Sequence, residues 1–465
     1  MAKPSDVYVT GTTLYLLPVK TRIPLKFGTE TLTSVICARA KVQVSDSNGK
    51  IATGWGETPI SVQWVWPSNI PFEERKNCLI EFCKIVARAI VNSTVKGHPL
   101  EIGYDFREHC FPKLLEEFNQ NRLQKMPLLA GLLCCSPFDI AVYDAYGNLF
   151  GLPIYDTYTA EFLSRDLACF LTPAPDSSVS FQSKYPEQYL IPRRNVLRAW
   201  HLVGGLDPID RNDLTGDEPQ DGYPVLLSDW ILRDGLKCLK IKLRGNDEEW
   251  DFERIVKVGE IAIKYNVEWL STDFNCTVLS VDYVIWILDK LRVEHPKIYE
   301  MILYVEQPFP YDLEKNRIDV RSVAARKPIF LDESAHDWRI IMLGRSLGWN
   351  GVALKTCKTQ TGAILSACWA KAHGMTLMVQ DLTNPMLAQI PHVLLAAHLD
   401  TIMGVETNSM QFYPEASRYE DEVHPGIYKR KNGIIELSSI RGSGFGYRID
   451  EIKRILPEPA IEISN

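Results

Sequence analysis

The sequence predicts an α/β fold: a (β/α)8 TIM-type barrel with an N-terminal α+β capping domain that the C-terminal segment completes. Three observations carry that prediction. From Val196 onward, short apolar runs alternate with amphipathic helical stretches. Eight of those runs stop near His201, Lys242, Asp273, Glu306, Asp332, Lys355, Gln380 and Glu406, and from Lys242 the stops lie roughly 23–33 residues apart, the size of a repeated βα unit. Ahead of them, residues 1–155 mix strand-like and helical patterns, as a separate α+β unit does. With 465 residues the chain is long enough to bury a large barrel and a second domain.

The elements follow in order. VYVTGTTLYLLPV and SVICARAKVQVSDSNGKIATGWGE read as strands, the second holding a hairpin turn at Asn48-Gly49 between alternating residues. FEERKNCLIEFCKIVARAI spaces Leu79, Phe82, Cys83, Val86 and Ile90 on one helical face. SPFDIAVYDAYGNLFG is a second helix, stopping at Gly147 or Gly151. Residues 156–195, rich in Pro and Ser and without a sustained period, read as an irregular insertion or linker. The barrel spans 196–415, with EEWDFERIVKVGEIAIKY and VDYVIWILDKLRVEH among its helices. Residues 416–465 turn polar and strand-like again, and GIIELSSIRGSGFGYRI is expected to return to the capping domain.

Composition narrows the function. The hydrophobic share of 46% and charged share of 23% are ordinary for a globular protein. A formal net charge of -7 without a basic stripe argues against a nucleic-acid partner. Eleven cysteines, adjacent only at Cys134-Cys135, show neither metal-type CxxC spacing nor a disulfide framework. No N-terminal stretch resembles a signal peptide, and no run of about 18 apolar residues is read as spanning a bilayer. The expectation is a cytoplasmic protein with reduced thiols and no membrane partner.

The chemistry lies where the strands stop, since parallel barrels carry their active sites at the carboxyl ends of the strands. Lys240 and Lys242 share one face of the second strand, because alternate strand residues point the same way. Two ammonium groups in one small space disfavour protonation. Taking a lysine from about 10.4 to about 7 costs roughly 4–5 kcal/mol, which would make it a base near neutral pH. Asp273, Glu306 and Asp332 end the third, fourth and fifth strands. Three hard oxygen donors without histidine or thiolate suit Mg2+. Any one of them alone would more often be a solvated strand end or a helix cap, but three in succession between lysine-ended strands are not read that way. Lys355 ends the sixth strand and would face Lys240 and Lys242 across the mouth. A carboxylate substrate held on Mg2+ would then present its α-carbon to a lysine on each side, with the metal stabilising the enediolate left when the α-proton departs.

These motifs together resemble the enolase superfamily, in its mandelate racemase/muconate-lactonizing enzyme family and there the muconate-lactonizing and dipeptide-epimerase branch. SPFDIAVYDAYGNLFGLPIY resembles the helical signature at the end of that family's capping domain. GLKCLKIKL resembles its second barrel strand, and STDFN, YVEQP, LDES and VALKTCK resemble the strands that follow. The resemblance implies that Asp273, Glu306 and Asp332 bind Mg2+, that Lys242 is the base on one face, and that Lys355 is the acid or base on the other. Lys240 would lower the pKa of Lys242 and contact the substrate carboxylate, while Asn275 and Glu333 would orient ligands or lysines. The mandelate-racemase branch, with its His–Asp dyad after the sixth and seventh strands, is disfavoured: the sixth strand carries Lys355 and VQDLTNP holds no histidine.

Specificity, the resemblance implies, is shared between the last strands and loops of the capping domain. TRIPLKFGTE offers Arg22, Lys26 and Phe27, and ETPISVQWVWP offers Trp64 and Trp66. A cationic pair with aromatic walls would close over a second anionic or polar group. The bland reading packs the tryptophans between domains. His201 at the end of the first strand would face the mouth or be a hydrogen-bonded structural residue. Asp381, Asn384, Glu406 and Asn408 cluster after the last two strands. The family's glutamate is absent near Asn384, and no Asp-x-Asp follows the eighth strand, so the substrate stays open. Cys357 and Lys358 read as flanking loop residues. The expected activity is a Mg2+-dependent α-proton abstraction from a small-molecule carboxylate, ending in racemisation or epimerisation. The alternatives are dehydration or cycloisomerisation at the same site, or a barrel that binds ligand without turnover. Relatives in the family imply a homo-oligomer.

Overall fold

The computed structural model describes residues 3–464. The cap is an antiparallel sheet of β1 (Val7–Phe27), β2 (Glu30–Asp46), β3 (Ile51–Ile60) and, from the far end of the chain, β13 (Ile461–Ser464), in the order β13-β1-β2-β3. Its predicted hairpin turn lies between Asp46 and Ile51, where the Asp46 carboxylate accepts from the N–H groups of Asn48 and Lys50. Two helices cover the sheet, Phe72–Val91 and Leu128–Phe150. Strand β3 crosses the second at backbone contact: a Cβ on Gly54 would stand 2.0 Å from the Ala145 nitrogen and one on Gly56 2.1 Å from the Pro137 oxygen. Only glycine permits that approach.

The Leu128–Phe150 helix begins earlier than the sequence suggests and ends at Gly151, whose left-handed conformation (φ 69°) terminates it. It is long and apolar enough to pass for a membrane span, against the expectation that no such run exists. Burial is the reason: 94% of its apolar window is inside the protein, wedged between cap sheet and barrel. Its polar side chains reach the barrel, Asp139 accepting from the Thr361 N–H (2.9 Å) and hydroxyl (2.7 Å).

The barrel comprises β4 (Val196–Val203), β5 (Cys238–Lys242), β6 (Trp269–Asp273), β7 (Ile302–Glu306), β8 (Ile329–Leu331), β9 (Gly351–Leu354), β10 (Thr376–Val379) and β11 (Thr401–Glu406). All neighbours are parallel, and β11 closes on β4 through Val405–Ala199 and Glu406–Trp200. The C-terminal segment divides its contacts, which differs from a simple return to the cap. Strand β12 (Ile434–Glu436) runs antiparallel to β4 at the barrel, Phe445 donates to Asp144 of the cap helix, and β13 joins the cap sheet. Residues 156–195 hold short 3-10 turns and no strand, and they lie on the barrel wall: Trp369 Nε1 donates to the Thr172 oxygen, and the Ile191 N–H to the His398 oxygen.

One cap segment departs from expectation. TRIPLKFGTE is a hairpin extension of β1 and β2 rather than a loop, with Leu25 paired to Leu32 and Phe27 to Glu30 around a turn at Gly28 (φ 47°). A register shift between Lys20 and Leu25 redirects the strand.

Candidate active site

Strand alternation builds the site in layers. Trp200, Cys238, Tyr304, Phe330 and Met378 fill the barrel interior, with Tyr304 and Phe330 stacked at 4.4 Å. Two residues further along the same strands come Leu202, Lys240, Glu306, Asp332 and Gln380, which period two returns to the inward face. Register aligns Lys242 with Asp273, and Asp273 with Glu306. Lys242 and Lys355 follow strands four apart in a ring of eight, so they stand on opposite sides of the mouth. The cleft between them is lined by Lys240, Lys242, Asp332, Lys355, Asp381 and Glu406 from the barrel, and by Leu25, Phe27, Leu32 and Trp64 from the cap.

The charges interlock. Lys240 Nζ donates to Glu306 Oε1 (2.7 Å) and Glu406 Oε2 (3.2 Å) and lies 3.1 Å from Asp273 Oδ2, which also accepts from Lys242. Lys355 Nζ donates to the Asp381 backbone oxygen (2.9 Å) and sits 3.2 Å from Asp332 Oδ2. Lys358 approaches the other Asp332 oxygen at 3.2 Å. Burial opposes charge on Lys240, but Glu306, Glu406 and Asp273 more than offset it and hold its proton well above the ordinary lysine range. Lys355 is raised in the same way, burial being outweighed chiefly by Asp332. The carboxylates around Lys240 thus decide its charge and keep it cationic. Burial likewise opposes ionisation of Asp273 and Asp332, yet Lys242 and Lys240, and Lys355 and Lys358 respectively, hold both below the usual carboxylate range. Glu306 is pushed up by burial and by Asp273.

Asp273, Glu306 and Asp332 are at most 1% exposed and supply only hard oxygens, a donor set that fits Mg2+. Among the described residues no three side chains already converge as a formed metal cage. The ammonium groups occupy the same oxygens, balancing charge that a divalent cation would otherwise balance.

The orienting residues sit beside this set. Asn275, at φ 47°, donates its N–H to Asp273 Oδ1 (2.8 Å) and its amide to Glu333 Oε1 (3.3 Å). Trp64 Nε1 donates to the same Glu333 oxygen (2.9 Å), so this cap tryptophan reaches the barrel carboxylates, with its ring 5.5 Å from Lys355 Nζ. Among the described residues, Glu333 Oε2 is buried without a hydrogen-bond partner. Burial and Asp332 push the Glu333 carboxyl up. Phe27 lines the cleft 6.0 Å from Lys242 Nζ. Glu406 is held by Asn408 Nδ2 (2.7 Å), and Asn408 Oδ1 accepts from the Leu202 N–H. The two Asp381 oxygens accept from the N–H groups of Asn384 and Asn408.

Several expected residues lie elsewhere. His201 points away from the mouth because its strand neighbours Trp200 and Leu202 take the inward positions. Its ring bonds to Arg430 (3.0 Å) and packs at 5.4 Å from Trp230. Arg22 grips Asp221 with two nitrogens (2.6 and 2.8 Å), and Lys26 donates to the Thr29 oxygen. Asn384 is buried behind Asp381 and is not part of the cleft wall. Trp66 is buried within the cap, its carbonyl accepting from Arg75. Sequence reasoning missed Lys358 and Gln380. Gln380 ends a strand two residues after an inward methionine and donates to Glu306 Oε2, so period two could have found it. Lys358 rides a single 3-10 turn after Lys355, which no strand pattern reveals.

Residues 226–453 match the family model for enolase C-terminal domain-like proteins. No curated protein sequence matches the chain. Among solved structures it is similar to a dipeptide epimerase from Cytophaga hutchinsonii complexed with Mg and D-Ala-L-Val, at 20% identity and TM-score 0.60 over 94% of this chain and 95% of that one. It is also similar to a muconate lactonizing enzyme from Mucobacterium smegmatis complexed with muconolactone, at 13% identity and TM-score 0.61 over 94% and 96%. An N-succinyl Arg/Lys racemase from Bacillus cereus aligns at 16% identity and TM-score 0.59 over 97% and 99%. At these identities the likeness is one of fold.

Proposed function

Because the barrel belongs to the enolase superfamily, in its mandelate racemase/muconate-lactonizing branch, we propose that the protein is a Mg2+-dependent enzyme acting on the α-proton of a carboxylate substrate. The observation that carries the reading is the opposition of Lys242 and Lys355 across one cleft, with Asp273, Glu306 and Asp332 on the strands between them. Asp273, Glu306 and Asp332 would hold the Mg2+, which supplies Lewis-acid stabilisation of charge developing on the substrate carboxylate. Lys242, freed from Asp273 and having released its own ammonium proton to solvent, takes the α-proton on one face as a neutral amine, and solvent resets both lysines after turnover. Lys355 delivers a proton to the other face, and no atom or electron is gained or lost overall. Lys240, tied to Glu306 and Glu406, stays cationic and attracts the substrate carboxylate. Trp64 and Asn275 fix Glu333 beside this set.

Racemisation or epimerisation follows from a proton donor on each face, and the dipeptide epimerase and the N-succinyl Arg/Lys racemase offer substrate classes to try. Dehydration or cycloisomerisation would use the same first step. The test is α-deuterium uptake in D2O over a library of dipeptides, N-acyl amino acids and acid sugars, with Mg2+ and with EDTA. Uptake that EDTA or Lys242→Ala abolishes supports the reading. Uptake that survives both contradicts it. The second reading is a barrel that binds without turnover. It predicts Mg2+-dependent ligand binding with no exchange.

A further inference from the structure

We infer that the group projecting from the substrate's α-carbon towards the cap is apolar and uncharged, an inference that rests on the proposed carboxylate chemistry for its orientation. On that reading the substrate carboxylate lies at the barrel end of the cleft, beside Lys240, Lys242 and Lys355 and the carboxylates that would hold Mg2+. The same cleft is walled by Leu25, Phe27, Leu32 and Trp64 from the cap, with Leu202 and Leu382 from the barrel. Alternation along β1 accounts for the cap's contribution: Leu25 and Phe27 face the mouth and Lys26 between them faces away. Leu32, paired with Leu25 across the hairpin, adds to the same apolar wall.

The charged groups nearby are already engaged. Arg22, the other cation of the hairpin, is held by both Asp221 oxygens and by the carbonyls of Tyr223 and Pro224, with its side chain only 6% exposed. The Gly205 N–H donates to the Lys26 oxygen, clasping the hairpin to the barrel loop after β4 in this orientation. On the barrel side, both Asp381 oxygens accept backbone N–H groups, and Glu406 is divided between Lys240 and Asn408. A second substrate charge placed under the cap would be stripped of water with no free counter-charge to meet it, whereas an aliphatic or aromatic group would gain by leaving water. The expected cationic pair closing over a second anion is therefore replaced by an apolar lid.

The test uses the full chain with Mg2+ and four probes: N-acetyl-leucine, N-acetyl-phenylalanine, N-acetyl-glutamate and N-acetyl-lysine. Binding is measured by calorimetry and α-deuterium exchange by mass spectrometry on the same samples. The apolar pair is expected to bind at least ~10-fold tighter than the charged pair, the scale on which a pocket discriminates between side chains. Leu32→Lys should shift the preference towards N-acetyl-glutamate. Equal or tighter binding of a charged probe by the parent protein overturns the inference, as does failure of both apolar probes to bind. Apolar preference without exchange leaves the inference standing and sinks the catalytic reading. Exchange that favours a charged probe does the reverse. The parent panel decides the matter even if Leu32→Lys does not fold.

Discussion

Lys358 and Lys355 show how much a side chain's role depends on its neighbours. Both follow β9, yet one was read as a catalytic candidate and the other as a loop residue. The structure puts each on a different oxygen of Asp332. Inward-facing residues such as Lys240, Lys242, Asp273 and Glu306 were legible because period two and strand-end position suffice to place them. His201 was left between the mouth and a structural hydrogen bond for want of register, since nothing in the sequence says whether Trp200 or His201 turns inward, and the bond to Arg430 settles it. Trp64 offers a test at this scale. Trp64→Phe keeps an aromatic ring but removes the indole N–H that donates to Glu333 Oε1. Losing an outer hydrogen bond of this kind typically costs roughly 10–100-fold. The variant should lose that factor in kcat with its thermal midpoint nearly unchanged, and a parent-like kcat would show that the Trp64 contact has no part in positioning. Lys358→Met should tighten Mg2+ binding relative to Lys26→Met, because Lys358 competes for an Asp332 oxygen whereas Lys26 only caps its own turn. Metal titration calorimetry of both variants provides the comparison.

At the scale of elements, the Leu128–Phe150 helix carries the cap. Its contact with β3 predicts that Gly54→Ala and Gly56→Ala each destabilise the protein by about 1–3 kcal/mol or more, the usual range for overpacking a core, as read from urea unfolding. The same helix buries Asp144, whose carboxyl accepts from the N–H groups of Phe445 and Trp55. Burial nonetheless raises its pKa to about 7. Its contribution to stability is thus present below about pH 4, the unfolded value, and is lost as pH rises through about 7. The thermal midpoint of the parent relative to Asp144→Asn should therefore fall between pH 5 and pH 8, and a pH-independent difference would contradict that account. The sequence placed this helix but began it late, because Leu128–Cys135 is apolar on every face and shows no period. The hairpin over 21–30 was read as a loop for a related reason. Pro24, Gly28 and a register shift break up the alternation that pairing with β2 restores.

For the whole molecule, eight strand ends were enough to anticipate the barrel, since from Lys242 onward each run ends in a residue that joins the network at the mouth. How the cap meets the barrel was not legible, because that depends on pairs such as Arg22–Asp221 and Trp64–Glu333, about 200 residues or more apart in sequence. Arg22→Ala tests the clasp. Losing charged hydrogen bonds from a side chain this buried should cost about 1.5–3 kcal/mol of stability. Its removal should also raise KM several-fold and speed proteolytic cleavage between residues 204 and 226. Unchanged KM and cleavage would mean that the hairpin holds its place without this contact. The central claim is that Lys242 and Lys355 serve opposite faces of one α-carbon. Its most direct measurement is α-deuterium exchange of each stereoisomer of one substrate by Lys242→Ala and Lys355→Ala in D2O with Mg2+. The account predicts that each variant loses turnover and that exchange, where it survives, is confined to one stereoisomer, the opposite one in the two variants. Exchange of both stereoisomers in either variant would contradict it.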